Sequence, residues 1–261
     1  MIANFFQSLE SHRVAYLLIS GQATVLYGAA TFSEDIDLWI EPSTTNISRF
    51  RAALVEVEAQ YYKLTPPLEA SYLGAGHGFH FVLGTATKEA IFLDVMGRPP
   101  RTRDFGLAQS DNRRFSTDWG NLPVIGLRDL IELKKTQRLS DYPIVSALTL
   151  RWLEEIRPSP DDLARATANL FTVESFFSFN QLFPAWPQSA ADDLPSSLAL
   201  WAGRSFEEIP EEIINDATRW MAAAMARHQM ADRRYWRKII AELRDLRSRG
   251  ILLEEGIRVT T

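Results

Sequence analysis

Two short polar motifs, each next to an apolar segment, constrain this chain more than any other feature of its sequence. Residues 14–19 form an apolar run typical of a β-strand, and the small residues Ser20 and Gly21 follow it directly. Asp35 and Asp37 then stand two positions apart at the start of a second apolar run. In a strand, side chains at i and i+2 point to the same face, about 7 Å apart at Cα. Two carboxylates on one face repel each other unless a cation lies between them, so this spacing favours a metal site.

Together, the two motifs favour a site that holds phosphate beside a metal ion. Mg²⁺ prefers oxygen ligands and is commonly shared by carboxylates and substrate phosphates. A turn such as Ser20-Gly21 lets backbone N–H groups approach a phosphate where the next helix begins, and the Ser20 hydroxyl adds a donor. Taken alone, a Ser-Gly pair between a strand and a helix is usually only a cap. Its position about fourteen residues before the acidic pair makes it a candidate phosphate-binding turn.

The same residues resemble the signature of the polymerase-beta-type nucleotidyltransferase superfamily, in which Gly-Gly or Gly-Ser is followed after a gap by Asp-x-Asp. The segment is more closely similar to small bacterial nucleotidyltransferases, including toxin and abortive-infection enzymes, which read Gly-Gly-x-Ala, then Gly, then Arg-x-Thr-x-Asp-Ile-Asp-Leu. The matching positions are Gly21, Ala23, Gly28, Ser33, Asp35, Ile36, Asp37 and Leu38. The chain departs from the pattern with Ser20 for the first Gly, Ser33 for Thr and Thr31 for the usual Arg. The missing Arg leaves open how a triphosphate or an acceptor is held.

A third carboxylate is expected, because two-metal phosphoryl transfer usually needs one more acid to hold the metal that activates the acceptor hydroxyl. Asp94 is the best candidate, since it is the only acid in the apolar stretch of residues 90–96. A lone buried charge there would cost on the order of several kcal/mol, so Asp94 needs a cation or hydrogen-bond donors. In the resembling superfamily the third acid lies on a later strand beside the Asp-x-Asp strand, which Asp94 matches. The alternative is an acid at a strand end that bonds only a nearby loop.

A second group of charged residues, Lys134, Arg138 and Asp141, coincides with the end of a helix predicted over residues 126–139. Helical spacing would place the three side chains on one stripe. The stretch resembles the C-terminal signature of the same bacterial relatives, Asp-Leu-Ile followed by Lys and then Arg-x-x-Asp. The resemblance implies that Lys134 and Arg138 neutralise charge on the triphosphate, while Asp141 orients one of them or binds the acceptor. Alternatively, the lysine is solvated surface and Asp141 caps the helix that carries Pro143.

The remaining polar candidates give weaker signals. Ser33 either fixes the turn before the acidic pair or contacts the triphosphate. His77 and His80 are three positions apart, which points them to opposite faces of a strand and disfavours a shared metal. We interpret both, together with His12 and His228, as structural or surface residues.

Composition narrows the classes of protein that fit. The chain has 261 residues, of which 46% are hydrophobic, enough for a substantial core. It has no cysteine, which excludes disulfides and thiolate metal sites. Because there is no signal peptide and no run of about eighteen apolar residues, we expect a cytoplasmic protein without a membrane partner. The net charge of −5 disfavours a general nucleic-acid binder, although arginines cluster within residues 227–249.

Hydrophobic periodicity predicts an α+β protein with two domains. A nucleotidyltransferase-like mixed sheet core with flanking helices is predicted over residues 1–125, followed by an all-helical C-terminal domain over residues 126–261. Residues 79–83 and 89–96 are predicted to pair as a hairpin. The phenylalanine-rich stretch 171–183 is predicted to belong to the helical core, with a base-stacking platform as the alternative if it is exposed.

The sequence therefore predicts transfer of a nucleoside monophosphate from an NTP to an acceptor hydroxyl, with two Mg²⁺ ions as cofactors. The metal ligands would be Asp35, Asp37 and Asp94. Residues assigned to catalysis are these three and Lys134, and residues assigned to substrate binding are Ser20, Gly21, Ser33, Lys134, Arg138 and Asp141. The resembling enzymes modify tRNA 3′ ends, partner proteins or small antibiotics, and a toxin of this type would have a cognate antitoxin. The alternative is a catalytically inactive nucleotide- or partner-binding module of the same fold, which Thr31 in place of arginine favours.

Overall fold

A computed structural model describes residues 1–84, 90–184, 204 and 206–260. Their strands are β1 Tyr16–Ile19, β2 Ile36–Ile40, β3 Gln60–Tyr61, β4 Gly78–Leu83, β5 Ile91–Met96, β6 Arg113–Thr117 and β7 Gly120–Val124. Their helices are α1 Ile2–Ser11, α2 Ser20–Leu26, α3 Thr44–Glu56, α4 Ala70–Ala75, α5 Phe105–Ser110, α6 Leu127–Leu133, α7 Asp141–Glu155, α8 Pro160–Thr167, α9 Val173–Leu182 and α10 Glu211–Ser248. A mixed sheet with flanking helices, followed by a helical part of the chain, confirms the predicted α+β class.

The two motif-bearing strands lie at the centre of a seven-stranded sheet with the order β3-β4-β5-β2-β1-β7-β6. β2 pairs with β1 in antiparallel orientation and with β5 in parallel orientation. All four residues of β1 are buried, and Asp37 is the only residue of β2 that is not. Strands that read as continuous apolar runs are those covered on both faces, which explains why β1 and β2 occupy the middle of the sheet. The acid on β2 is thus set into an otherwise apolar layer.

The predicted hairpin is confirmed within the described residues, because β4 and β5 form an antiparallel pair, and its predicted end at residue 89 lies outside them. The strand β7 was not predicted from the sequence. It pairs with β6 in antiparallel orientation and with β1 in parallel orientation, so it joins the hairpin β6–β7 to the central strands. Pro123 and Gly120 explain the omission, since neither residue is typical of a strand flanked on both sides.

Helix starts follow the local capping signals in the sequence. The hydroxyl of Ser43 accepts a hydrogen bond from the backbone N–H of Asn46 at 3.3 Å and begins α3. Ser159 and Asp162 form a reciprocal capping box at the start of α8, with Pro160 in the first turn. Such caps satisfy backbone donors that the helix itself leaves without a partner. They set where α3 and α8 begin.

The chain divides into two compact units. The first comprises residues 1–133 and 235–261, and the second comprises residues 134–234. The first unit contains the whole sheet, and the segment after α10 runs beside β3. There, the backbone N–H of Tyr61 donates to the carbonyl of Ile257 at 2.9 Å, and the N–H of Leu253 donates to the carbonyl of Thr65 at 2.8 Å. The edge strand β3 is therefore covered by the chain's own C-terminal segment, which removes an open sheet edge.

The second unit is helical in its described residues and has an aromatic interior. Phe176, Phe177 and Phe179 of α9 are buried, which confirms that most of the phenylalanine-rich stretch belongs to the core. Tyr142 of α7 packs edge-on against Phe171, with ring centroids 4.9 Å apart. In the described part of the chain, we find no helix with the length and apolar character required to cross a membrane.

Candidate active site

The acids predicted as metal ligands on the two strands are brought together at the centre of the sheet. Asp37 on β2 is paired in register with Asp94 on β5. Residues paired in register on adjacent strands place their side chains on the same face, with strand axes about 5 Å apart. Both side chains are partly exposed, so a ligand can reach them. Asp94 therefore lies where the sequence placed the third acid, on a strand beside that of Asp37.

Asp35 occupies a different position, because it is exposed and precedes β2 by one residue. Across residues 1–84, 90–184, 204 and 206–260, no three or more His, Cys, Asp or Glu side chains lie close enough together to hold a metal ion. Mg²⁺ is nonetheless commonly held by one or two carboxylates together with substrate phosphates. The chemistry of the donor set formed by Asp37 and Asp94 fits such a shared ion.

His80 on β4 extends the row of polar side chains beyond Asp94. The antiparallel register of β4 and β5 places His80 opposite Asp94, and His80 Nδ1 lies 2.6 Å from Asp94 Oδ1. Because a carboxylate only accepts, the imidazole must carry a proton on Nδ1 and donate it to this bond. The side chains of His80 and Asp94 are 27% and 33% exposed. His80 thus supplies the donor that an acid in this apolar strand requires.

The interpretation of His80 as a structural or surface residue is therefore incomplete, because it also bonds Asp94. His77 and His80 point in opposite directions, as their spacing predicts. His77 is fully buried, and its Nε2 lies 3.0 Å from Oε2 of Glu242, although not in a direction that forms a hydrogen bond. The missing information was the strand register, since only the register shows which histidine faces Asp94.

Ser20 and Gly21, which were predicted to form a turn, begin α2 directly after the end of β1 and beside the start of β2. Ile19, the last residue of β1, pairs with Asp37, so Ser20 leaves the sheet beside the acidic row. Ser20 has a φ of 56°, in the left-handed region that favours glycine. The backbone at this position therefore favours glycine, and Ser20, which has a Cβ, is strained there.

Gly21 packs directly against Ser33, so two predicted substrate-binding residues lie together. A Cβ on Gly21 would stand 2.9 Å from the Cβ of Ser33 and closer still to its hydroxyl oxygen. Gln22 Nε2 also donates to the carbonyl of Ser33 at 2.8 Å. The segment that leads into β2 is thereby fastened to the first turn of α2. Ser33 thus fixes the approach to the acidic pair, and its contact with a triphosphate stays a prediction.

The helix predicted over residues 126–139 is wrong in its extent. α6 ends at Leu133, and residues 134–140 are irregular and turn structure. Thr136 provides the physical reason, because its hydroxyl accepts a hydrogen bond from the backbone N–H of Arg138 at 3.0 Å and also bonds the carboxylate of Asp141. Side-chain bonds of this kind give the backbone an alternative to the helical pattern. The three charged residues of this region therefore do not share a helical stripe.

Within the second unit, Lys134 and Asp141 meet across this irregular segment. Lys134 Nζ lies 3.4 Å from Asp141 Oδ1, and the two side chains are only 12% and 9% exposed. The lysine is therefore not solvated surface, and the carboxylate faces Lys134 and makes no helix cap. Of the predicted alternatives for Asp141, orientation of Lys134 agrees with this contact. Arg138 is exposed.

Comparison with known proteins adds little to this geometry. No protein-family model matches the chain. No curated protein matches it either. A similar solved structure is that of a Thermotoga maritima protein with a provisional designation as a nucleotidyltransferase. The two share 17% identity with a TM-score of 0.36, and the similarity covers 58% of this chain and 89% of the other. A likeness of this size does not establish a shared fold or activity.

Proposed function

We propose that this chain transfers a nucleoside monophosphate from an NTP to an acceptor hydroxyl. The observation that supports the proposal most strongly is the pairing of Asp37 with Asp94 on one partly exposed face of the sheet. Ser20 and Gly21 begin α2 directly after β1, the strand on the other side of β2, so they lie beside the same row. A helix start with backbone N–H groups next to paired carboxylates can place a phosphate beside a metal ion, which metal-dependent phosphoryl transfer uses.

In the proposed reaction, the acceptor oxygen attacks the α-phosphorus and the bond from this phosphorus to its bridging oxygen breaks. Pyrophosphate leaves with the electron pair, and the acceptor's proton passes to water. Asp37 and Asp94 would hold Mg²⁺, which when bound activates the acceptor hydroxyl and neutralises the triphosphate, and the assignment of Asp35 as a further ligand stays a prediction. Asp37 and Asp94 therefore carry the catalytic part of the proposal.

The residues around the carboxylates would bind the phosphates of the NTP and position Asp94. Backbone N–H groups at Ser20 and Gly21 would hold the departing phosphates, and the Ser20 hydroxyl would donate one further bond. His80 would act as a positioning residue, because its Nδ1–H fixes one oxygen of Asp94 and leaves the other oxygen for a ligand. A residue that hydrogen-bonds a metal-binding carboxylate orients this carboxylate and influences the affinity of the site for the metal.

The resemblance to small bacterial nucleotidyltransferases adds three residues to the proposal, namely Lys134, Arg138 and Asp141. Lys134 would neutralise charge that develops on the triphosphate, with Asp141 setting the direction of its ammonium group. Arg138 would add a second cation. Lys134→Met should lower the rate of transfer, and Arg138→Met should raise KM for the NTP; unchanged kinetics in both variants would remove this region from the site.

The decisive experiment incubates the purified protein with Mg²⁺, each of the four α-³²P-labelled NTPs, and tRNA, cell lysate or small-molecule acceptors. We expect label to move to one acceptor class with the wild type, and to fall below about 1% of that rate with Asp37→Asn or Asp94→Asn. Asp118→Asn is the matched control, since Asp118 is an exposed acid in the β6–β7 turn. Full transfer by Asp37→Asn, or none by the wild type with any acceptor, would contradict the proposal.

The identity of the acceptor decides the biological role. Label in tRNA or protein would support a toxin, and expression of the wild type without its antitoxin should then arrest growth while Asp37→Asn does not. Label in a small molecule would instead support an antibiotic-modifying enzyme. Equal growth arrest by the wild type and Asp37→Asn would exclude a toxin that acts by transfer.

The positioning role of His80 has its own test. His80→Phe should weaken Mn²⁺ binding about 10- to 100-fold. His80→Asn, which retains a donor near Nδ1, should recover part of this loss. If His80 has only a structural role, the His80→Phe protein that folds should bind Mn²⁺ with unchanged affinity.

A further inference from the structure

A cavity of about 440 Å³ opens in the second unit, between α8 and the part of α10 within residues 211–234. Its lining includes none of the residues assigned to the proposed transfer reaction. A volume of this size falls within the range of about 300–1,000 Å³ that small-molecule sites occupy. The cavity is therefore large enough for a ligand the size of a nucleotide.

One wall of the cavity is aromatic and held in place by packing. Phe171 is 5% exposed and meets the ring of His228 edge-on, with centroids 5.6 Å apart and an interplanar angle of 89°. Trp220 lines the same cavity and packs against Phe176, with centroids 6.1 Å apart. Rings fixed in this way offer a rigid surface for a planar heterocycle, because little side-chain freedom is lost when one binds.

Two arginines from different helices also line the cavity. Arg165 lies on α8 and Arg227 on α10, and both are exposed. Neither forms an ion pair within the part of the chain that the structure describes, whereas Arg219 on α10 pairs with Asp216. Two arginines that line one cavity, neither in an ion pair with a described carboxylate, are suited to an anion, and guanidinium groups bind phosphate in bidentate fashion.

A third charged group restricts the ligand further. Asp161 on the first turn of α8 lines the same cavity. A carboxylate accepts hydrogen bonds from hydroxyl or amino groups and repels a second phosphate, so the ligand should carry donors as well as an anion. A nucleoside monophosphate has a planar base, ribose hydroxyls and one phosphate, which match the three kinds of wall. We propose that this cavity binds a nucleoside monophosphate unit, either free or at the end of an RNA strand.

The proposal is tested by titration calorimetry on the full chain in EDTA, with AMP, adenosine, inorganic phosphate and a short oligoadenylate as probes. AMP should bind more tightly than adenosine or phosphate. The double variant Arg165→Gln/Arg227→Gln should weaken AMP binding about tenfold or more and leave adenosine unaffected. Arg219→Gln is the matched control on the same helix and should change nothing. Tighter binding of the oligoadenylate would identify a strand end as the ligand, and equal or weaker binding would identify a free nucleotide.

The same titrations are repeated in Asp37→Asn, so that the cavity is judged apart from the proposed reaction. AMP binding that depends on Arg165 and Arg227 in both proteins supports the cavity even if transfer is never observed. The proposal would be overturned if Arg165→Gln/Arg227→Gln left AMP binding unchanged, or if Arg219→Gln weakened it equally. Absence of AMP binding at millimolar concentration would overturn it as well.

Discussion

Replacing Gly21 by Ala should destabilise the protein even though alanine is the better helix former. Gly21 lies in α2, and a Gly→Ala change within a helix ordinarily stabilises by about 0.5–1 kcal/mol. Here the new methyl group would stand 2.9 Å from the Cβ of Ser33 and closer still to its hydroxyl. Inserting a methyl group into a filled space typically costs about 1–3 kcal/mol. Because Ser33 lies on a loop and can shift in part, we expect a net loss of about 1–2 kcal/mol.

The assay is urea denaturation followed by circular dichroism, with Gly106→Ala as the control. A Cβ on Gly106, in α5, would meet no atom within 4 Å, so this variant should gain about 0.5–1 kcal/mol. The double variant Gly21→Ala/Ser33→Gly removes the clashing atoms and should recover most of the loss. Wild-type stability in Gly21→Ala, or a double variant that loses the sum of the two single changes, would contradict a tight contact between Gly21 and Ser33.

Ser20→Gly should stabilise by about 1 kcal/mol, because a φ of 56° strains a residue with a Cβ; a lower urea midpoint than the wild type would argue against this strain. Arg103→Met should cost about 3–5 kcal/mol, since Asp129 is 2% exposed and would keep a buried charge without its guanidinium partner. Asp129→Asn should cost less, because Arg103 retains access to solvent, and equal losses would contradict the asymmetry. The hydrogen bond from Ser8 lowers the pKa of Glu56, so it adds stability above the unfolded-state pKa that is lost as pH falls through the folded-state pKa. Ser8→Ala should therefore raise the Glu56 pKa in an NMR titration, and an unchanged pKa would exclude this cause.

The central strands and the hairpin could be predicted because their apolar runs leave few alternatives, but the register of the hairpin could not. The structure pairs Leu83 with Ile91, which places His80 opposite Asp94. If the predicted ends at Leu83 and Glu89 had paired, Gly78 would face Asp94. Register depends on how the connecting segment closes, which composition does not encode. The partner of the predicted third acid was therefore accessible only from coordinates.

Two further differences between the predicted and the observed elements, at β7 and at the end of α6, also arise from specific hydrogen bonds that the local pattern does not encode. β7 is held beside β1 by the backbone N–H of Ile125, which donates to the carbonyl of Leu18 at 3.0 Å. This bond keeps a segment with Pro123 in the sheet, against its local preference. The end of α6 is likewise set by Thr136, whose hydroxyl bonds the backbone N–H of Arg138 in place of a helical contact. Local patterns predict the element types here, and tertiary bonds decide their bounds.

The most direct test of the central claim compares transfer rates for Asp37→Asn, Asp94→Asn and the double variant, with the acceptor identified by the labelled-nucleotide screen. If the two carboxylates act as one unit through a shared ligand, each single change should abolish transfer to a similar degree, and the double change should add little more. Thermal unfolding of all three variants should match the wild type, so that loss of rate is not loss of folded protein. Retained turnover in either single variant, or losses that multiply in the double variant, would contradict a shared catalytic role for the pair.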